Sequence, residues 1–104
     1  MELSLNDLKS LLVNQDSSHP YEIGKPYFIR TVTHYYTGRL ENVLDKEIVL
    51  TDCAWIADTG RFSDSLKDLS KLNEVEPFPE GKVIIGRGAI IDAHVTTHTP
   101  RDQK

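Results

Sequence analysis

The sequence predicts one mostly β domain over residues 1–104: an N-terminal helix, then a small five-stranded, strongly bent barrel with an insert before its fourth strand. Three observations carry that expectation. The stretches 27–50 and 82–95 are dense in Val, Ile, Thr, Tyr and Phe, residues that suit a pleated, half-buried surface. Only brief polar or glycine-bearing steps, Asp45-Lys46-Glu47 and Arg87-Gly88, interrupt them. A chain of 104 residues holds one core, and a sheet that curves and closes on itself removes most of its exposed edges.

The elements follow in order. Ser4 is a good N-cap, Asp7 completes an approximate capping box, and Leu5, Leu8, Leu11 and Leu12 share one face, so a helix is expected over about 4–13. Pro20, Gly24 and Pro26 keep the next stretch irregular. One long strand is expected from about Tyr27 to Leu44, with Gly38 marking a bulge or bend inside it. Asp45-Lys46-Glu47 turns the chain, Glu47 to Thr51 returns, and strand character resumes at Cys53 to Ala57. Residues 55–80 form the insert. Asp58-Thr59-Gly60 is a turn, and Ser63 or Asp64 caps a short helix bearing Leu66, Leu69 and Leu72. Glu74 to Gly81, with two prolines, reads as loop. Two apolar strands then run over Lys82–Gly86 and Ala89–Val95, and the tail 96–104 is expected to fray.

Charge narrows the function classes. Sixteen acids against twelve bases give a net of −4, so no whole-protein basic field for nucleic acid exists. The excess is local: residues 52–80 hold seven acids and three bases, and the remainder balances. No apolar run approaches the length of a membrane helix, and Asn6, Asp7 and Lys9 break the start that a signal peptide would need. The single Cys53 cannot form an internal disulfide, which fits a reducing, cytoplasmic setting and a small buried hydrophobe.

Two local patterns carry a resemblance. Gly38-Arg39-Leu40-Glu41-Asn42-Val43 followed by Ile48-Val49-Leu50-Thr51-Asp52 looks like the first motif of the Sm-like family. Val83-Ile84-Ile85-Gly86-Arg87-Gly88-Ala89-Ile90-Ile91 is similar to its second motif, an Arg-Gly step between apolar strands. The resemblance spans residues 3–95, with 55–80 as an unusually long connection; a divergent member of phage or mobile-element origin would fit the odd motifs. The resemblance implies a helix and five-stranded barrel, and a ring in which the fourth strand of one subunit pairs with the fifth of the next. Five to seven subunits are then expected, with Val83, Ile84, Ile85, Ile90 and Ile91 at the interface. Those runs contain no lysine or proline to guard an edge. The resemblance also implies single-stranded RNA at the pore, through Arg87, Gly88 and Asp45. Only Asp45 matches the family's base-holding loop, which here is shorter and lacks the Asn.

Other candidates carry less. His34, Tyr35 and Tyr36 stand near Arg30 and Arg39, but alternation puts the two tyrosines on opposite faces, so they cannot form one stacking platform. His94 and His98 are four apart on a strand, where that spacing has no metal-binding meaning. Carboxylate pairs such as Asp45 with Glu47, or Asp92 with Glu41, read as surface charge, and no nucleophile elbow, phosphate loop or dinucleotide fingerprint is present. The chain is therefore expected to be a non-enzyme without cofactor or metal. Its first expected role is that of a homo-oligomeric scaffold whose acidic insert faces a protein partner. Trp55, Ile56 and Phe62 either anchor that insert or meet the partner.

Overall fold

The computed structural model describes residues 19–104, so the helix expected over 4–13 lies outside the described residues. Among the described residues the architecture is mostly β, an open antiparallel sheet of six strands with one short helix. In chain order the elements are β1 (Pro26–Thr31), β2 (Tyr35–Val43), β3 (Glu47–Asp58), α1 (Phe62–Lys67), a 3-10 turn (Leu69–Lys71), β4 (Glu74–Pro77), β5 (Val83–Gly86), a second 3-10 turn (Arg87–Ala89) and β6 (Ile90–Val95). The sheet order is β4-β3-β2-β1-β6, and β5 also pairs with β3. β3 therefore serves two partners on one edge. Its first residues pair with β5 (Leu50 with Val83) and its last with β4 (Ala54 with Pro77).

The strand expected from Tyr27 to Leu44 is in fact a hairpin. The chain turns at Val32-Thr33-His34, a run without glycine, proline, Asn or Asp, because Thr31 closes the turn with its own side chain. Its Oγ1 donates to the His34 carbonyl (2.7 Å) and accepts from the His34 N–H (3.0 Å). Glu47–Thr51 and Cys53–Ala57 are, conversely, one strand, and the expected loop after Glu74 contains β4. The strand count is thus six where five were expected. Neither Ser63 nor Asp64 caps α1. Arg61 occupies that position without a side-chain bond, and the buried Ser65 hydroxyl instead donates to the Thr59 carbonyl.

Gly38 does mark a bulge. The β2–β3 register shifts between Thr37 and Arg39, and a Cβ on Gly38 would sit 3.1 Å from Leu50 Cβ. Opposite it, Asp52 adopts φ 49°, left-handed backbone that an L residue other than Asn or Asp rarely takes. The irregularity resets the alternation of β3. Ile48 and Leu50 face the sheet's inner core before it, and Cys53 faces that core after it.

Both faces of the sheet are packed. The inner core contains Tyr27, Ile29, Leu40, Ile48, Leu50, Cys53 and Ile85. The other face meets the insert in a second core of Phe28, Ala54, Ile56, Leu69, Leu72 and Val75. Tyr27 and Ile29 thus face one way and Phe28 the other, which is why β1 reads as an unbroken apolar run. Tyr36 packs against the inner core and Tyr35 against the insert core, on opposite faces as the alternation requires.

The residues after Thr96, expected to fray, run back across the insert. Arg101 donates from Nη1 to the Cys53 carbonyl (2.7 Å) and from Nη2 to the Phe78 carbonyl (2.6 Å). Lys104 exchanges backbone hydrogen bonds with Val75 on β4 (3.0 and 3.2 Å). Arg101 sits where β3 passes from one partner strand to the other; the Cys53 carbonyl also accepts from the Phe78 N–H (2.9 Å), so the guanidinium adds a second bond to it and one to the Phe78 carbonyl.

Candidate functional site

Three surfaces place the residues singled out above. The first is the corner where the β2–β3 turn meets the β5–β6 turn. Arg87 N–H donates to the Lys46 carbonyl (2.8 Å), and its guanidinium donates to the carbonyls of Leu44 (2.9 Å) and Asp45 (3.3 Å). Arg87 and Asp45 are therefore neighbours, joined through the Asp45 backbone rather than its carboxylate. The guanidinium carbon also lies 6.0 Å from the Tyr21 ring centroid, at the outer limit of a cation–π contact. Gly88 is exposed, a Cβ there would meet open space, and its backbone is not left-handed.

The second surface is the pair of sheet edges. β5 pairs on one side with β3, and β6 on one side with β1. Ile84 is 67% exposed and Ile91 58%. The other three residues expected at an interface point inward: Ile85 is in the inner core, and Val83 and Ile90 pack against it. Ile85 can reach a neighbour only through its backbone, while Val83 and Ile90 keep part of their side chains exposed.

The third surface emerges only from the strand register. Ile29 lies opposite Tyr36, Tyr36 opposite Trp55, and Trp55 opposite Glu76, so one row crosses four strands on one face. Two further rings join it. His34 meets Trp55 edge-on with centroids 5.4 Å apart, and Phe78 stacks near Tyr36 at 6.3 Å. Trp55 remains 37% exposed, while Ile56 is buried in the insert core and Phe62 packs partly against it. The insert's aromatic and apolar residues thus divide: Ile56 and Phe62 anchor, and Trp55 faces out. Parity in the sequence places His34 with Tyr36, but the turn at residues 32–34 and the bulge at Asp52 had to be known before Trp55 could be set beside them.

Several other charged groups are held locally. Arg30 pairs with Asp92 and lies 5.6 Å over the Phe62 ring, on the insert side of the sheet. Its guanidinium pKa is raised by that hydrogen bond and charge. Glu41 pairs with Lys82 at 3.2 Å, so Asp92 and Glu41 serve different cations. Asp68 accepts from the Ser70 hydroxyl (2.7 Å) and N–H (3.0 Å), which holds its carboxyl below the ordinary range. Burial pushes the Cys53 thiol up to about 12, against a smaller opposing pull from Arg101. Cys53 is thus a neutral core residue with little thiolate character. His94 lies on β6 and His98 in the tail, and no cluster of three or more His, Cys, Asp or Glu suited to a metal occurs among the described residues. No described helix is long and apolar enough to cross a membrane.

Comparison with known proteins finds no matching family model, no matching characterised protein and no matching solved structure.

Proposed function

We propose that this chain is a non-enzymatic, Sm-like protein that assembles edge to edge, β5 of one subunit against β6 of the next, into a homo-oligomeric ring serving as a scaffold. The observation that carries the reading is the exposure of Ile84 on β5 and Ile91 on β6, each of which pairs with a strand on one side alone. An apolar strand edge left open is a pairing hazard, and a second copy is its simplest cover. The order β6-β1-β2-β3-β5 and the single 3-10 turn joining β5 to β6 support the Sm-like barrel, with β4 assigned to the insert. The insert, with its local excess of acids, projects as the partner-facing surface.

Light scattering tests the assembly. The expected mass is five to seven chains, resistant to salt, and Ile84→Lys or Ile91→Lys reduces it to one. A monomeric wild-type chain sinks the ring.

A second reading, single-stranded RNA bound at the ring pore by Arg87, Gly88 and Asp45, rests on the corner that gathers these residues. Nothing among the described residues demands glycine at Gly86 or Gly88, since neither has left-handed φ and a Cβ on either meets open space. Against it, the Arg87 guanidinium already serves the turn carbonyls. Poly-uridine decides this second reading: RNA binding requires an affinity that falls steeply with salt and is lost in Arg87→Ala.

A further inference from the structure

We propose that the face formed by His34, Tyr36, Trp55, Phe78 and Glu76 binds an arginine-bearing extended segment of a protein partner, with a guanidinium stacked on Trp55 and paired to Glu76. The proposal rests on the insert being partner-facing and is independent of ring formation. Three observations converge. Trp55 keeps an exposed ring in a row of aromatic groups rather than joining either core. Glu76 lies directly opposite it in the register, is half-buried, and has no ion-pair partner among the described residues. The chain segment that carries both residues, 52–80, has a net charge of −4, although its helix packs on the other face of the sheet.

The chemistry selects the occupant. A half-buried Glu opposite an exposed Trp in the register lacks one thing, a cation that can lie flat on the ring and donate to both carboxylate oxygens. Guanidinium does both, whereas ammonium is a compact point charge that stays more strongly hydrated. A purely apolar partner would bury Glu76 unpaired, at substantial cost. A phosphate backbone would meet repulsion from Glu76. The chain's own nearby arginines are committed elsewhere. Arg101 holds the Cys53 and Phe78 carbonyls, and Arg30 pairs with Asp92 on the opposite face.

Trp55 is the only tryptophan, so its fluorescence reports this face alone. A labelled nona-arginine peptide is titrated into the full chain while peptide anisotropy and Trp55 emission are followed together. Nona-lysine and nona-glutamate serve as comparisons. The expected result is saturable binding with a matching Trp55 change, weaker binding of nona-lysine and none of nona-glutamate. Glu76→Gln should weaken binding about tenfold, the scale of one charge-assisted pair. Asp64→Asn, exposed on α1, should leave it within about twofold, as expected for a remote charge in a screened field. Anisotropy binding without a Trp55 response overturns this site and leaves the acidic insert as a partner surface. Equal losses from Glu76→Gln and Asp64→Asn, or equal binding of nona-lysine, reduce the interaction to general charge and also overturn it. No binding by either readout removes both readings.

Discussion

The two faces of the sheet are packed by different means. The inner core draws on four strands spread along the chain, from Tyr27 to Ile85, each residue set by alternation. The insert core takes four residues from the sheet (Phe28, Ala54, Ile56, Val75) and two from the 3-10 turn and the residue after it (Leu69, Leu72). The inner core is thus built by strands alone, while the insert core joins strands to a short connecting segment. The two share β1 and β3, which supply half or more of the residues of each.

Phe28→Ala probes that sharing most severely. Phe28 is almost fully buried and sits near both Phe62 and Tyr35, with centroids 5.8 and 6.0 Å away. Its truncation should cost about 3–5 kcal/mol. Because β1 also carries Tyr27 and Ile29, chemical denaturation should show one transition at a lower midpoint. Two separate transitions would show the insert melting alone and break the comparison.

Cys53 sharpens it from the inner side. Its thiol is pushed up to about 12 from an ordinary 9.0, so the folded chain stays protonated where the unfolded chain ionises. The folded pKa is the higher one. Its contribution is therefore complete below about pH 9 and is lost as pH rises towards 12. Between those limits the wild type should lose about 1.4 kcal/mol of stability per pH unit more than Cys53→Ala does. Parallel slopes would mean that the thiol is less buried than the inner core requires.

Thr37 gives the smallest effect, from the insert side. It lies between Phe28 and Ala54 in the register, is fully buried, and its Oγ1 has no hydrogen-bond partner. Thr37→Val keeps the shape and removes the unsatisfied hydroxyl. It should stabilise the chain by about 1 kcal/mol in urea unfolding. A loss of stability would reveal a partner for the hydroxyl, such as a buried water.

The inner half of this arrangement is legible in the sequence and the insert half is not. Gly38, the polar turn at 45–47, and the strands flanking Arg87-Gly88 fall close to where their residue types place them. The β1–β2 turn was hidden because a threonine hydroxyl does the work usually signalled by glycine or proline. β4 was hidden because Glu74-Val75-Glu76-Pro77 offers one apolar residue and a proline, and becomes a strand only through the edge that β3 provides. The same holds for the surfaces. Arg87 and Asp45 were foreseeable as neighbours, whereas the Trp55–Glu76 row depends on a bulge and a strand that no local pattern announces.

Arg101 connects these halves. Its two acceptors, the carbonyl of Cys53 on β3 and that of Phe78 just past β4, lie 48 and 23 residues from it in sequence. One guanidinium reaches both only where β3 and the end of β4 lie together. The tail thus reads the state of that junction: it bonds fully where the junction is closed and loses a bond where it opens.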